Sequence, residues 1–357
     1  MLWYFQQSTI LLALIRRCHM PLYAGIDLHS NNNFIGICDE KDTRLYGRRH
    51  ENRLEDILNI LESFKSRLQG IVVESTYNWY WLVDGLMENG YCVHLANPCA
   101  IQTYSGLKFT DDKWDSFWLA HLLRLGLLPE GYIYDKKSRP IRDLMRRRIL
   151  FVKQRTTQIL SVQSMITRNL GKMFPGSSIS RFNDNFVEKL FDSPELIFTA
   201  KAQVATIRFL DERIKAIETE ILAKMSLQKE FQMLLTIPGV GNILGLTIML
   251  EVGDISRFPQ VGDYSSYCRC VESKRISNGK KKGKNNAKNG NRYLAWAYVE
   301  AANFARRYCQ KAQRFYQRKS AKTNSILATK ALSNKLARAS YYMMRDHVAY
   351  DAAKLFG

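Results

Sequence analysis

The first hundred or so residues constrain the fold most, because short β-branched runs alternate there with helical periodicity in a definite order. Tyr23–Asp27 (YAGID) reads as a strand, His29–Asn33 as a polar turn and Phe34–Cys38 as a returning strand. Thr43–Arg49 reads as a third strand. Asn-rich connections between short apolar runs are hairpin signals. Leu54, Ile57, Leu58, Leu61, Phe64 and Leu68 recur at helical spacing. Gly70–Glu74 is a β-branched run ending in an acid, which reads as a buried strand. Trp79–Glu88 is helical and stops at Asn89-Gly90, a C-terminal signal. Tyr91–Ala96 is a further strand. Lys108–Ala120 (KFTDDKWDSFWLA) is again helical, with Trp114, Phe117, Trp118, Leu119, Leu122 and Leu123 in its repeat. The order is β-β-β-α-β-α-β-α, an α/β domain.

Four acids stand out in that order: Asp27 on the first strand, Glu74 at the end of the fourth, and Asp112 and Asp115 on the last helix. Residues at i and i+3 share a helix face, so Asp112 and Asp115 can point at one spot. Asp111 reads as the cap or first-turn anion of that helix. Taken singly, Asp27 is a strand-end turn acid, Glu74 a helix-start acid, and the aspartates solvated helix-start acids. His29 fits a turn residue or a ligand equally well. Taken together, the order and the acids resemble the ribonuclease-H-like (RuvC-like) nuclease fold. That likeness implies a four-acid site for Mg²⁺ or Mn²⁺. Two divalent cations roughly 3.5–4 Å apart clamp the attacking and leaving oxygens of a phosphoryl transfer, and such hard ions prefer carboxylate oxygens.

The length, 357 residues, favours two or three domains. With 53 Lys and Arg against 33 Asp and Glu, the net charge is +20. That surplus suits a polyanionic partner, nucleic acid before an anionic membrane. The seven cysteines contain no CxxC pair, which suggests reduced thiols in a cytosol rather than a disulfide framework. Leu2–Ile15 is apolar but too short to span a membrane, and Arg16-Arg17 follows it where a signal peptide would carry charge before it. Residues 1–19 therefore read as an extension, with Met20 as an alternative start.

Downstream, the stretch from Lys136 to Arg155 is strongly basic, with Arg146, Arg147 and Arg148 at its centre. They form either a solvated face or a phosphate-binding one. Helical periodicity runs from Ile141 to Leu170 and again over about Asn185–Leu227, with an interruption near Pro194. Two long helices joined by a Gly/Pro/Ser loop predict an antiparallel hairpin or coiled coil. In Leu235–Gly241 (LTIPGVG) a tight glycine turn joins two helices like a helix-hairpin-helix element. There Gly239 and Gly241 would let backbone N–H groups approach a DNA phosphate; an ordinary helix–helix turn is the alternative. Lys274–Arg292 (KRISNGKKKGKNNAKNGNR) has eight basic residues and no acid. It reads as a flexible loop that offers Lys280, Lys281, Lys282, Lys284, Lys288 and Arg292 to nucleic acid. Tyr293–Arg307 and Ile326–Met344 are helical with Ala-rich faces. The chain is rich in Tyr and Trp, which can stack on unpaired bases, although most suit a core.

Four segments in this order resemble the DEDD-type transposases of bacterial insertion sequences, the family guided by a bridge RNA. They are YAGIDLH around Asp27, VVEST at Glu74, TDDKWDS at Asp112 and Asp115, and LLTIPGVGNILGLTIMLEVGDISRF with ISNGKKKGKNNAKNGNRYL. The likeness spans roughly Pro21–Asp351. It implies a RuvC-like domain (20–135), a coiled-coil connector (136–228) and a mostly helical C-terminal transposase domain (229–357). It also implies DNA as substrate, a structured guide RNA, a homo-oligomer and a bacterial, nucleoid-associated location. Finally it implies a serine nucleophile in the basic loop. Ser277 is the best positional match; Ser273 is a lesser alternative, and Ser265 and Ser266 are remote ones. The commoner pattern has glycine directly after that serine, where this chain has Asn278.

Two other readings remain. A metal-only junction nuclease would leave Ser277 a loop residue. A non-enzymatic nucleic-acid scaffold would leave the acids structural. Tyr264 and Tyr267 lack the Arg/His constellation of a tyrosine recombinase, and no long basic amphipathic helix suits a membrane surface.

Overall fold

Strands β1 (Leu22–Leu28), β2 (Asn32–Asp39) and β3 (Arg44–Glu51) form an antiparallel meander. The computed structural model describes residues 20–101, 111–273, 275–283 and 289–357. The expectations for residues 1–19, for Lys108–Thr110, and for Lys284 and Lys288 fall outside them. Two compact units meet in sequence between Tyr134 and Asp135.

In the first unit, helix α1 (Leu54–Glu62) leads to β4 (Leu68–Glu74), α2 (Tyr80–Glu88), β5 (Val93–Ala96) and α3 (Asp112–Arg124). A short β6 (Glu130–Gly131) completes a sheet of order β3-β2-β1-β4-β5-β6. β1, β4 and β5 run parallel, and β6 runs antiparallel to β5. Alternation along the strands divides the sheet into two faces. Ala24, Ile26, Leu28, Ile71 and Val73 pack with Ile57 and Leu61 of α1 and Leu82 and Leu86 of α2. The other face receives α3: Phe117 and Ala120 pack on Cys38, and Leu119 packs on Val72 and Ala96.

The seat of α3 is made by glycines. Gly25 pairs with Gly36 and Gly36 with Gly47, so the three form a row across the meander. A Cβ on Gly25 would lie 2.0 Å from the Ser116 carbonyl oxygen, and one on Gly36 would lie 2.7 Å from Ser116 Oγ. A Cβ on Gly47 would lie 3.0 Å from the Phe117 ring. The helix backbone thus rests directly on the sheet.

The second unit begins with α4 (Arg139–Leu170) and α5 (Pro194–Met225), with two short helical turns between them. Pro194 does not interrupt a helix, as the sequence had suggested. It opens α5 behind Ser193, whose hydroxyl accepts from the Leu196 N–H, the first-turn position that proline favours. Arg148 pairs with Glu218, Arg155 with Asp211, and Gln203 donates to Ser161. Rising numbers meet falling ones, so the two helices are antiparallel.

Helices α6 (Lys229–Leu235), α7 (Asn242–Val252), α8 (Val261–Tyr267), α9 (Arg292–Tyr308), α10 (Gln310–Lys322) and α11 (Ser325–Asp346) follow. Ala297, Ala301, Ala302 and Ala305 of α9 are buried with Leu336 and Ala337 of α11 around Tyr264 and Tyr298. The basic segment is not wholly a loop. Arg275–Ser277 and Lys280–Gly283 form a hairpin, β7 and β8, turned at Asn278 (φ 50°) and Gly279 (φ 70°). Asn-Gly with both residues left-handed matches the tight turn whose twist fits paired strands, and that local preference fixes part of a segment whose composition alone suggested flexibility.

Candidate metal centre and nucleic-acid interface

The glycine seat and strand alternation determine where the acids go. On β1, Gly25 and Asp27 share the α3 face; on β4, Glu74 is in phase with Val72 on that same face. β1 and β4 are parallel neighbours with Ile26 opposite Val73, so Asp27 and Glu74 lie at adjacent strand ends. Their carboxyl groups are close enough for Glu74 to raise Asp27. Asp111 caps α3 by accepting from the Trp114 N–H at 2.7 Å, which leaves Asp112 and Asp115 in the first turn. His29, in the β1–β2 turn, lies with Nε2 3.3 Å from Asp27 Oδ2 and 3.3 Å from Asp112 Oδ1. Arg49 of β3 forms an ion pair with Asp112.

The electrostatics record the crowding. Asp27 is 3% exposed. Burial pushes its carboxyl up to about 7; the charge of His29 opposes this, while Glu74 and Asp115 add to it. Asp115 is also raised, by burial first and then by Glu74, Asp112 and Asp111. Carboxylates that raise one another through burial and like charge favour a bound cation. Asp27, His29 and Asp112 each offer a ligand atom within 4.8 Å of the others. The donor set fits a divalent cation: carboxylates suit hard ions, and one imidazole also admits transition ions.

Sequence reasoning left His29 open and did not single out Arg49. The His29 signal was its position two residues past Asp27. No local signal marks Arg49, because its role depends on the register of β3.

In the second unit the basic residues divide. Arg146 is bound to the buried Glu251 of α7, with Nε donating at 2.6 Å and Nη2 at 2.8 Å. Its guanidinium also lies 4.6 Å from the centre of the Tyr293 ring. Arg142 Nε and Asn291 Nδ2 donate to the same Glu251 at 3.2 and 2.7 Å. Burial alone would raise the Glu251 carboxyl, but Arg146, Arg142 and Asn291 outweigh it and hold the group below its ordinary value. Arg148 is held by Glu218 at 2.7 Å. Arg147 is exposed. Of the arginine triplet grouped as a phosphate-binding set, two are therefore engaged inside the fold. No local signal marks the Glu251 hub, whose acid stands near the end of a mainly apolar helix.

Ser277 is exposed at the start of the hairpin turn, opposite Lys280. Ser273 is half-buried, and Ser265 is buried with its hydroxyl donating to the Val261 carbonyl. Lys280, Lys282 and Arg292 are exposed; for Lys281 only the backbone position on β8 is described. Gly239 has φ 90°, and a Cβ there would meet Phe304 at 2.6 Å and the Ala305 nitrogen at 2.7 Å. Gly239 thus lets the α6–α7 turn close onto α9. Gly241 precedes α7 and borders open space.

Two family models match the chain. One, described as Transposase and covering the DEDD domain of IS110 elements, matches residues 24–170. The other, described as the Transposase IS116/IS110/IS902 family, matches residues 231–317. The chain carries IS110-family transposase domains. Among curated proteins, none matches it. The first match covers the acids and the N-terminal α/β unit from Ala24 to Tyr134, and the second covers α7, the hairpin and α9. Transposase domains act on DNA, and a DEDD domain is consistent with a ribonuclease-H-like fold and divalent metal use. Among the described residues, no helix is long and apolar enough to cross a membrane.

Proposed function

We propose that this transposase cleaves and exchanges DNA strands with divalent metal, Mg²⁺ or Mn²⁺, through a covalent phosphoserine intermediate, and that a structured RNA guides it to its sites. The nearness of Asp27, Glu74, Asp112, Asp115 and His29 in a chain with transposase domains is the observation that carries this reading. The four carboxylates would hold the cations, which supply charge neutralisation at the phosphate. Arg49 adds a positive charge beside Asp112, where negative charge develops on a phosphoryl group.

Ser277 is the proposed nucleophile. Its Oγ forms a bond to phosphorus and releases its proton, while the bond from phosphorus to one deoxyribose oxygen breaks and that oxygen leaves as a hydroxyl. Attack by a hydroxyl of another strand reverses the step and frees the serine. The exposed position of Ser277 supports this, as do the exposed Lys280 and Lys282 beside it, which favour a bound phosphate without deprotonating the serine. Guide RNA and a homo-oligomer follow from the likeness to bridge-RNA-guided transposases, and the charge of +20 suits both nucleic acids.

The test is a denaturing gel of protein incubated with labelled DNA, guide RNA and Mg²⁺. The wild type should yield a DNA-labelled protein band. Ser277→Ala should yield none while binding DNA and RNA nearly normally. Cleavage with no labelled band in the wild type would instead favour the metal-only junction nuclease.

A further inference from the structure

Helix α3 also carries an aromatic ladder that the four-acid reading does not use. The Trp114 and Trp118 rings stack 5.2 Å apart with planes 15° from parallel, and His121 stacks on Trp118 at 5.3 Å and 20°. The residues are four and then three apart, so they occupy one helix face. All three remain partly exposed. The far end of the ladder is fixed in orientation: Asp42 accepts from Arg124 Nε at 2.9 Å and lies 2.9 Å from His121 Nδ1.

Across from the ladder stands β3. The exposed Arg44 lies over the Phe117 ring, 4.4 Å from its centre. Trp114, Trp118, His121, Phe117, Arg44 and Asp42 border an open cavity of about 210 Å³. Ordinary small-molecule pockets hold about 300–1,000 Å³ and enclose their ligand, so this one suits a single flat ring offered from outside. Arginines on an edge strand also discourage strand pairing, but that role does not require tryptophans opposite them. Aromatic faces beside guanidinium groups are the elements that hold unpaired bases and their phosphates.

We propose that the Trp114–Trp118–His121 face, with Arg44 opposite, is a stacking site for unpaired nucleobases of the DNA strand whose backbone lies at the acids. The proposal rests on the reading that those acids act on DNA. The ladder begins within one turn of Asp112 and Asp115 on a different side of α3, so a base seated there is a nucleotide or more along the strand from the phosphate at the acids. The site would hold that strand apart from its complement without reading its sequence, because every base has a stacking face.

The test is fluorescence anisotropy of a labelled short single-stranded oligonucleotide on the full chain, without divalent ions. Trp114→Leu with Trp118→Leu keeps apolar character and removes the aromatic faces. It should weaken binding about 5- to 150-fold for each stack lost, and Trp→Phe at both positions should restore most of the affinity. A strand with abasic sites should bind the wild type as weakly as the intact strand binds the double Leu variant. Equal binding of abasic and intact strands to the wild type would overturn the proposal. So would a Leu variant that melts earlier yet binds normally, which would mark the ladder as packing alone. Failure of the metal reading would appear separately, as Mn²⁺ binding that survives Asp27→Asn.

Discussion

Asp27 and Glu74 lie towards the ends of neighbouring parallel strands, with Glu74 near enough to raise the Asp27 carboxyl. Burial first, with nearby like charge, keeps a proton on Asp27 up to a pH of about 7, against an ordinary value of 3.8. Between those values the folded protein holds a proton that the unfolded chain has released. Stability therefore falls as pH rises through that window. In thermal melts with a chelator, the melting temperature of the first unit should fall from about pH 4 to about pH 7. Asp27→Asn should flatten the slope. Added Mg²⁺ should stabilise the wild type most at the alkaline end, where the carboxylates are free to bind it. A melting temperature independent of pH in the chelated wild type would contradict the raised Asp27 carboxyl.

The seat of α3 gives a second expectation. Gly25→Ala puts a methyl group 2.0 Å from the Ser116 carbonyl, and backbone cannot yield as a flexible side chain would. The cost should be about 1–3 kcal/mol or more in denaturant melts. Because α3 carries Asp112 and Asp115, metal affinity should drop with it. Gly262→Ala, which borders open space in α8, should be neutral or stabilising by up to about 1 kcal/mol. Equal melts for the two variants would show that α3 does not rest on the glycines.

What the sequence could announce was local. Runs such as YAGID and GIVVE set the strand order, and Asp111 declared its cap, because period, burial and hydrogen bonding agree over a few residues there. The glycine row could not be read, since Gly25, Gly36 and Gly47 become neighbours only through register. The same holds for Arg49 on Asp112 and for Glu251 between Arg142, Arg146 and Asn291. Each partner is far along the chain, and an arginine bound to a buried acid looks the same in sequence as one facing a phosphate. Helix α10 went unmarked because Ala312 alone among its residues is buried, which leaves no apolar period. The Asn278-Gly279 turn had a local signal, but the surrounding lysines and asparagines outweighed it.

Glu251 tests that distinction directly. Removing one member of a buried ion network leaves uncompensated charge, at a cost of about 3–5 kcal/mol. Glu251→Ala should lower the second unit's unfolding free energy by that amount in denaturant titrations. Arg147→Ala, at an exposed position, should change stability by no more than about 0.5 kcal/mol and should weaken nucleic-acid binding instead. If Glu251→Ala were neutral, the ion network around Glu251 would not be what holds this part of the second unit together.

The central claim is that acids far apart in the chain meet to hold divalent cations. Its most direct measurement is anomalous diffraction from crystals grown with Mn²⁺. The account predicts density within coordination distance of Asp27 and Asp112, with Glu74 or Asp115 completing the shell, and its loss in Asp27→Asn. Ordered Mn²⁺ elsewhere only, or density at the acids unaffected by Asp27→Asn, would contradict it.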